Sequence, residues 1–398
     1  MAQQGSTRRR GNSWTAYWFV TDNHGRRRQK SKGGFTTKRD AQTFLTEQLS
    51  SLTTATYVEP SRMTFGEYLT DFWLPTVKGT TRPSTWDAYK RTVDLHVVPE
   101  LGSIPLQKLS AHDLDRYYAA KRASGRADGK KGRDGTGGLS TKTVRNIHNM
   151  IHKALHDAER KQLVNRNVAK SADPPHHERH PLEAAQTWTP EQVRTFLAAI
   201  AEHRLYAAFL LAVTTGMRRG ELLGLRWIDV EFPRRRLLVR QTVISVAYEI
   251  QRSLPKTNKG RRSIALDDVT LQALRTHRHA QAQDRAATGS EVHDKDLVFA
   301  REDGQPIHPD LFSQIFDRTV ERLDVPRIRL HDLRHTHATL GLAAGVQPKV
   351  MSQRLGHATV AFTQDVYVHA IPEREEEAAS TIADLIFDHA QTDQADPT

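Results

Sequence analysis

The residues able to do chemistry lie in the second half of the chain. The first group is Thr214-Thr-Gly-Met-Arg218-Arg-Gly-Glu221. Gly216 lets the backbone turn ahead of a helix, which sets Arg218 near that helix's N-terminus. A guanidinium and a helix N-terminus both attract phosphate. Glu221, one turn on, can orient the arginine, although Arg–Glu at helical spacing is by itself a common surface pair. The second group is His331-Asp-Leu-Arg334-His335. On a helix these positions share a face, so a proton-transferring imidazole and a bidentate phosphate grip point to one place. The bland alternative is a polar helix cap. His331 and His335 also have the spacing of a zinc pair, but the glutamate of H-E-x-x-H is missing and Arg334 would set a cation beside the metal. No metal is expected. The third group is Leu355-Gly-His357, followed by Tyr367 in Thr363-Gln-Asp-Val-Tyr-Val-His369. A lone Tyr is ordinarily a packing residue. Its hydroxyl becomes a nucleophile only where its proton can leave and a cationic site holds the electrophile. Last, Lys256 sits in Leu254-Pro-Lys-Thr-Asn-Lys-Gly-Arg-Arg262, between β-like runs. A hairpin turn through Asn258-Lys259-Gly260 would carry it. From there it could protonate a leaving oxygen; taken alone it is a surface lysine.

Composition bounds the partners. The chain has 398 residues, a net charge of +12 and no cysteine. Disulfides, thiolate nucleophiles and cysteine zinc sites are excluded. The length suggests two or three domains. With 37% hydrophobic and 26% charged residues, a soluble globular protein is expected. No run of eighteen apolar residues is present, and the start MAQQGSTRRRGNSW lacks an apolar signal core, so a cytoplasmic protein without membrane contact is expected. The excess positive charge points to a polyanion, of which nucleic acid is the commonest. Residues 1–60 hold ten Lys or Arg against four acids, so +6 of the +12 lies there.

Three regions must position these residues. In the first, residues 1–62, Trp14–Val20 reads as a strand, Asp22-Asn-His-Gly25 as a turn, and Arg26 to Lys32 as a basic second strand ended by Gly33-Gly34. Thr37 caps a helix from Lys38. Arg26, Arg27, Arg28, Lys30 and Lys32 would follow a DNA groove as β-ribbon readers do, or form a solvated edge that blocks aggregation. The second region, residues 63–175, reads as a helical bundle. Helices open after Thr64, at Ser84 (Thr85 to about His96), at Ser110 and at Ser140. The glycine-rich stretch Gly125–Gly138 reads as a flexible loop and does not match a P-loop. Ser171 to His180 reads as a linker whose histidines are solvated. The third region, residues 180–390, opens on the helix start Thr189-Pro-Glu191, runs helical through Val213, and turns β from Leu237 to Leu266 as one small antiparallel sheet. Helices return from Asp268, and residues 391–398 form a tail. The fold class is α+β: mainly α with small antiparallel sheets. The first region carries a three-stranded sheet and a helix.

Taken together, the ordered motifs resemble the tyrosine recombinase family, in particular integrases of temperate phages and integrative plasmids. Arg218, Lys256, His331, Arg334, His357 and Tyr367 stand in the family's order, and the Pro-Lys-Thr context favours Lys256 over Lys259. The resemblance covers the third region throughout. The second region resembles the family's core-binding domain and the first, on pattern rather than motif, its arm-type DNA-binding domain. It implies that Arg218 and Arg334 hold the scissile phosphate, His357 donates a further hydrogen bond, and Tyr367 forms a 3′-phosphotyrosine. Lys256 is then the general acid, His331 assists proton transfer, and Glu221 supports Arg218. No ATP, metal or other cofactor is implied. The implied partners are double-stranded DNA attachment sites of core and arm type, further copies forming a homotetramer on DNA, an excisionase and a host DNA-bending protein. The helix-prone stretch Glu373–Ala379, with Ile382, Leu385 and Ile386, would dock on a neighbouring or its own subunit. A type IB topoisomerase shares this chemistry, but the basic first region favours a recombinase. A non-catalytic DNA-binding regulator would lack the tyrosine or one of the arginines, and none is missing.

Overall fold

The computed structural model describes residues 5–21, 26–54, 57–125, 137–176, 186–254, 261–287, 289, 291–293 and 295–356. Lys256, His357 and Tyr367, most of the Gly125–Gly138 loop, His177, His180 and the stretch 373–386 lie outside them. The chain divides into two units, Met1–Glu178 and Arg179–Thr398. It is mainly helical with small antiparallel sheets.

The first unit opens on a sheet of β1 (Ser6–Arg10), β2 (Ser13–Thr21) and β3 (Arg27–Phe35) in that order, all antiparallel. Helix α1 (Lys38–Thr53) covers one face, started by Thr37, whose hydroxyl accepts from the Asp40 amide. Ala16, Trp18 and Leu45 make the small core between them, with Phe44 edge-on to Trp18. The expected strand end at Gly33-Gly34 is corrected: β3 runs through both glycines to Phe35. There the register shifts, Trp14 pairing with Phe35 and Ala16 with Lys32, and Gly34 takes a positive φ of 89°. The pair serves as a bulge, which glycine permits, rather than as a break.

A separate core underlies the helices that follow. Thr64 and Glu67 form a capping box that starts α2 (Phe65–Glu67). The helical path continues through a π-turn at Tyr68–Trp73 into α3 (Leu74–Lys78). Likewise α4 (Pro83–Thr92) passes through a π-turn at Val93–Val97 into α5 (Val98–Leu101). The expected helix from Thr85 to His96 is therefore too short at both ends. Pro83 occupies the first turn, where its missing N–H costs nothing. The two internal prolines, Pro75 and Pro99, each follow a residue whose amide reaches five positions back, Leu74 to Leu69 and Val98 to Val93. A proline removes a ladder bond and crowds the preceding turn, and the wider π-turn absorbs both effects. Helix α6 (Ala111–Ser124) starts at a Ser110–Asp113 capping box, and α7 (Thr141–Arg160) at Ser140. Two buried anchors tie α7 to the Tyr68–Trp73 π-turn: Tyr68 Oη donates to the Ala154 carbonyl at 2.8 Å and Trp73 Nε1 to Asp157 at 3.0 Å.

The second unit is built on α8 (Pro190–Ala199) and α9 (Tyr206–Thr215). Helix α9 is apolar on every side, as a helix packed all round must be. Phe209 on it stacks on Phe312 at 4.6 Å, and Phe196, Phe316 and Trp188 continue the aromatic core. After α10 (Arg219–Leu223) come β4 (Val230–Glu231), β5 (Arg236–Val239), β6 (Thr242–Val246), β7 (Glu249–Ser253) and β8 (Arg262–Ala265). Helices α11 (Asp268–Ala287), α12 (Pro309–Val320), α13 (Asp332–Ala343) and α14 (Pro348–Leu355) complete the described chain.

The single sheet expected between Leu237 and Leu266 is corrected to two. One has the order β4-β5-β8 and the other is the β6-β7 hairpin. That hairpin turns at Ala247-Tyr248, both at positive φ, a geometry reached here without glycine. The strands flanking 255–260 thus pair with different neighbours, β7 with β6 and β8 with β5.

Candidate active site

Helix α9 ends on Gly216, whose φ of 62° turns the chain sharply. The turn sets Arg218 as the residue that starts α10. Its amide donates to Glu221 Oε2 at 3.0 Å, its Nη1 to Oε1 at 2.8 Å, and its Nη2 to the Gly356 carbonyl at 3.0 Å. The Arg218 side chain is 41% exposed, whereas Glu221 is only 4% exposed. Burial pushes the Glu221 carboxyl up, but Arg262 and then Arg218 outweigh burial and hold it below the usual range.

Helix α13 supplies the second arginine. Arg334 is buried, donating from Nη1 to the Gly216 carbonyl and from Nη2 to the Leu355 carbonyl, both at 2.7 Å. The two arginines therefore meet on one short turn, Leu355-Gly356, where α14 ends with Gly356 at a φ of 67°. That turn leads directly into His357. His331 starts α13, exposed at its outer edge and with its ring 5.4 Å from that of His335, edge to face. Partial desolvation, then His335 and Arg334, lower its pKa. Asp332 accepts the Arg329 amide and its bidentate guanidinium, which fixes the backbone on both sides of His331.

The five basic residues placed on the first sheet do not share a face. Arg28, Lys30 and Lys32 lie opposite Val20, Trp18 and Ala16, on the side covered by α1. Lys32 sits over the Phe44 ring at 4.3 Å and Lys30 is ion-paired to Glu59. Arg27 lies on the open face, stacked over Phe19 at 4.4 Å, and Arg26 precedes the strand. Arg8 shares that open face, 5.6 Å from the Tyr17 ring.

Sequence reasoning missed the residues behind the arginines. Arg262 donates Nη1 and Nη2 to the two oxygens of Glu221 at 3.1 and 2.9 Å. Arg354 holds the Thr214 carbonyl and donates Nε to His337 Nε2, while His337 Nδ1 donates to the Val213 carbonyl at 2.9 Å. Burial, then Arg354, drive His337 down to about 4. Alternation along β8 was a usable signal, since Arg262 sits two residues from the buried Ile264. Among the described residues no group of three His, Cys, Asp or Glu is placed to hold a metal, and no helix is long and apolar enough to cross a membrane.

The arrangement concentrates positive charge and hydrogen-bond donors beside a turn, the setting that phosphoryl transfer requires. Comparison with known proteins covers most of the chain. Residues 186–374 match the phage integrase family, residues 64–121 the phage integrase N-terminal SAM-like domain, and residues 6–52 the arm DNA-binding domain. A protein named tyrosine recombinase XerC-like, from Caldanaerobacter subterraneus subsp. tengcongensis, is 26% identical over 88% of this chain and 90% of its own length. The ICEBs1 integrase of Bacillus subtilis is 26% identical over 80% and 82%. Among solved structures, the Tn1549 transposon integrase in complex with transposon right end DNA superposes with a TM-score of 0.65, at 21% identity, over 81% of this chain and all of that one. A lambda integrase tetramer bound to a Holliday junction superposes at 0.55, with 16% identity, over 90% and 96%. These two likenesses concern the fold. With its ordered motifs and three successive regional matches, the chain belongs to the phage integrase family of tyrosine-type site-specific DNA recombinases.

Proposed function

We propose that this protein integrates a phage or mobile element into DNA at attachment sites, cutting and rejoining strands through Tyr367. The observation that carries this reading is the convergence of Arg218 and Arg334 on the Leu355–Gly356 turn, one residue before His357. A phosphodiester seated against Arg218 has its nonbridging charge neutralised, with Arg334 and His357 as the further donors. The Tyr367 oxygen attacks phosphorus, the bond to the 5′ oxygen breaks, and Lys256 protonates that oxygen. The products are a 3′-phosphotyrosine and a free 5′-hydroxyl. His331, held neutral, assists proton transfer at the tyrosine. A 5′-hydroxyl of a partner strand then attacks the phosphotyrosine, reseals the backbone and releases Tyr367. The ester conserves the bond energy, so the cycle balances without ATP.

Integration also needs more than one DNA contact. The helical domain of residues 63–175 would clasp core-type sites and residues 1–62 arm-type sites. The open face with Arg8, Arg27, Tyr17 and Phe19, together with Arg26 ahead of the strand, offers the candidate DNA contacts, while Arg28, Lys30 and Lys32 lie on the side that α1 covers. A homotetramer would bring two duplexes together, as in the lambda integrase tetramer bound to a Holliday junction. An excisionase and a host DNA-bending protein would set direction.

The test is a core-site duplex nicked near the cleavage position, so that religation is lost. The wild-type protein should form a denaturant-resistant complex joined through a 3′ phosphate, leaving a 5′-hydroxyl end. A 5′-linked complex, or cleavage to free ends, would overturn the mechanism.

A further inference from the structure

Arg262 lies behind the proposed phosphate site, and any role it has in cleavage rests on Arg218 gripping that phosphate. Each oxygen of Glu221 takes bonds from two arginine residues. Oε1 accepts from Arg218 Nη1 and Arg262 Nη1, and Oε2 from the Arg218 amide and Arg262 Nη2. The third donor direction of Arg262, Nε, meets the Arg354 carbonyl at 2.7 Å. Arg354 is followed by Leu355, whose carbonyl takes Arg334, and Gly356, whose carbonyl takes Arg218. These contacts close a ring: Arg262 to Glu221, Glu221 to Arg218, Arg218 to Gly356, and back through Arg354 to Arg262.

The two arginines facing Glu221 differ in access. The Arg262 side chain is 7% exposed, against 41% for Arg218. Arg218 is open to a bound phosphate, while Arg262 turns Nε, Nη1 and Nη2 to the Arg354 carbonyl and Glu221 and acts through what it holds. A buried ion pair is an inefficient way to gain stability, because desolvation offsets the attraction. Three hydrogen bonds from one planar fork do fix geometry, and an ammonium cannot reproduce that fork.

We propose that Arg262 is a positioning residue for strand cleavage, clamping Glu221 and the Arg354 carbonyl so that Arg218 and the Leu355–Gly356 turn are set before DNA arrives. It touches neither the phosphate nor the tyrosine. Its substitution affects cleavage through Arg218 and the turn that Arg218 grips.

The experiment compares full-length wild type, Arg262→Lys, Arg218→Lys and the double variant on the nicked core-site duplex. Equilibrium DNA binding and single-turnover adduct formation are both read, with thermal melting as a fold check. Arg262→Lys keeps a cation beside buried Glu221 but loses the fork. It should bind DNA within about threefold of wild type and form adduct at least about tenfold more slowly, since a small misplacement at a reacting centre costs rate rather than affinity. The double variant should be no more than about twofold slower than Arg218→Lys alone, because both substitutions break one unit. A merely structural residue would instead give penalties that multiply. Should Arg262→Lys melt at assay temperature, Glu221→Gln combined with Arg262→Gln removes both buried charges, and the same comparison with Arg218→Lys is made. Wild-type cleavage by Arg262→Lys, multiplying penalties, or a loss explained by weaker binding would each overturn the inference. If wild type itself forms no adduct, it is the functional reading that fails.

Discussion

Glu221 shows why single residues in this site cannot be judged one at a time. A carboxylate buried this deeply would normally protonate, yet two arginine residues keep it charged, and it in turn orients both. Arg218 is the member of that set with access to solvent. Arg218→Lys keeps the charge but gives up the planar donors that bridge Glu221 and Gly356. Adduct formation should fall on the order of 10²-fold, the range seen when one transition-state donor is lost. A rate within about twofold of wild type would take the phosphate-gripping role from Arg218. At this scale the sequence was informative where chemistry and spacing coincide. Arg218, Glu221, His331 and Arg334 were legible because a glycine turn and helical spacing place them. Arg354 and His337 were not legible. Their bonds run to the backbone carbonyls of Thr214 and Val213, and no side-chain pattern encodes a carbonyl.

Two left-handed turns carry the geometry at the level of elements. Gly216 ends α9 and Gly356 ends α14, and the arginines bond to the carbonyls at and beside these glycines. A Cβ at Gly216 would lie 2.6 Å from Leu355 Cδ2 and 2.9 Å from His337 Cδ2, on backbone that side chains rarely adopt. Gly216→Ala should destabilise the second unit by about 1–3 kcal/mol in denaturant unfolding. No measurable change would mean that the α9–α10 turn can relax without cost. The histidine on the neighbouring helix adds a pH signature. An unfolded imidazole binds its proton near the usual 6.5, while folded His337 resists protonation until about 4. Because the folded value is depressed, stability should fall as pH drops through that window and level off below it. Urea unfolding of wild type and His337→Asn from pH 7 to 4 checks this: the variant should show a shallower loss. Equal slopes would assign the effect to other groups. Element types were readable from periodicity and caps, as at Thr37, Thr64, Ser110, Ser140 and Thr189. What escaped was set by tertiary context. Pro75 and Pro99 stay inside helical paths because π-turns absorb them, and β3 continues through two glycines as a bulge. The partition of the strands near Leu237–Leu266 into two sheets depends on pairing over distance, which local alternation does not report.

For the whole molecule, charge and segmentation make the argument. Half of the net positive charge falls in the first sixty residues, which fold around a small core of their own. Removing residues 1–62 should leave core-site binding within a few fold and sharply impair integration between two attachment sites in a gel-based recombination assay. Full integration by the truncated protein would refute an arm-binding role for that region. The central claim is the nucleophile, and the most direct measurement is covalent trapping by Tyr367→Phe and wild type side by side on the nicked core site. Loss of one hydroxyl should leave DNA binding intact while abolishing the covalent complex that wild type forms. A covalent complex formed by Tyr367→Phe would contradict the account.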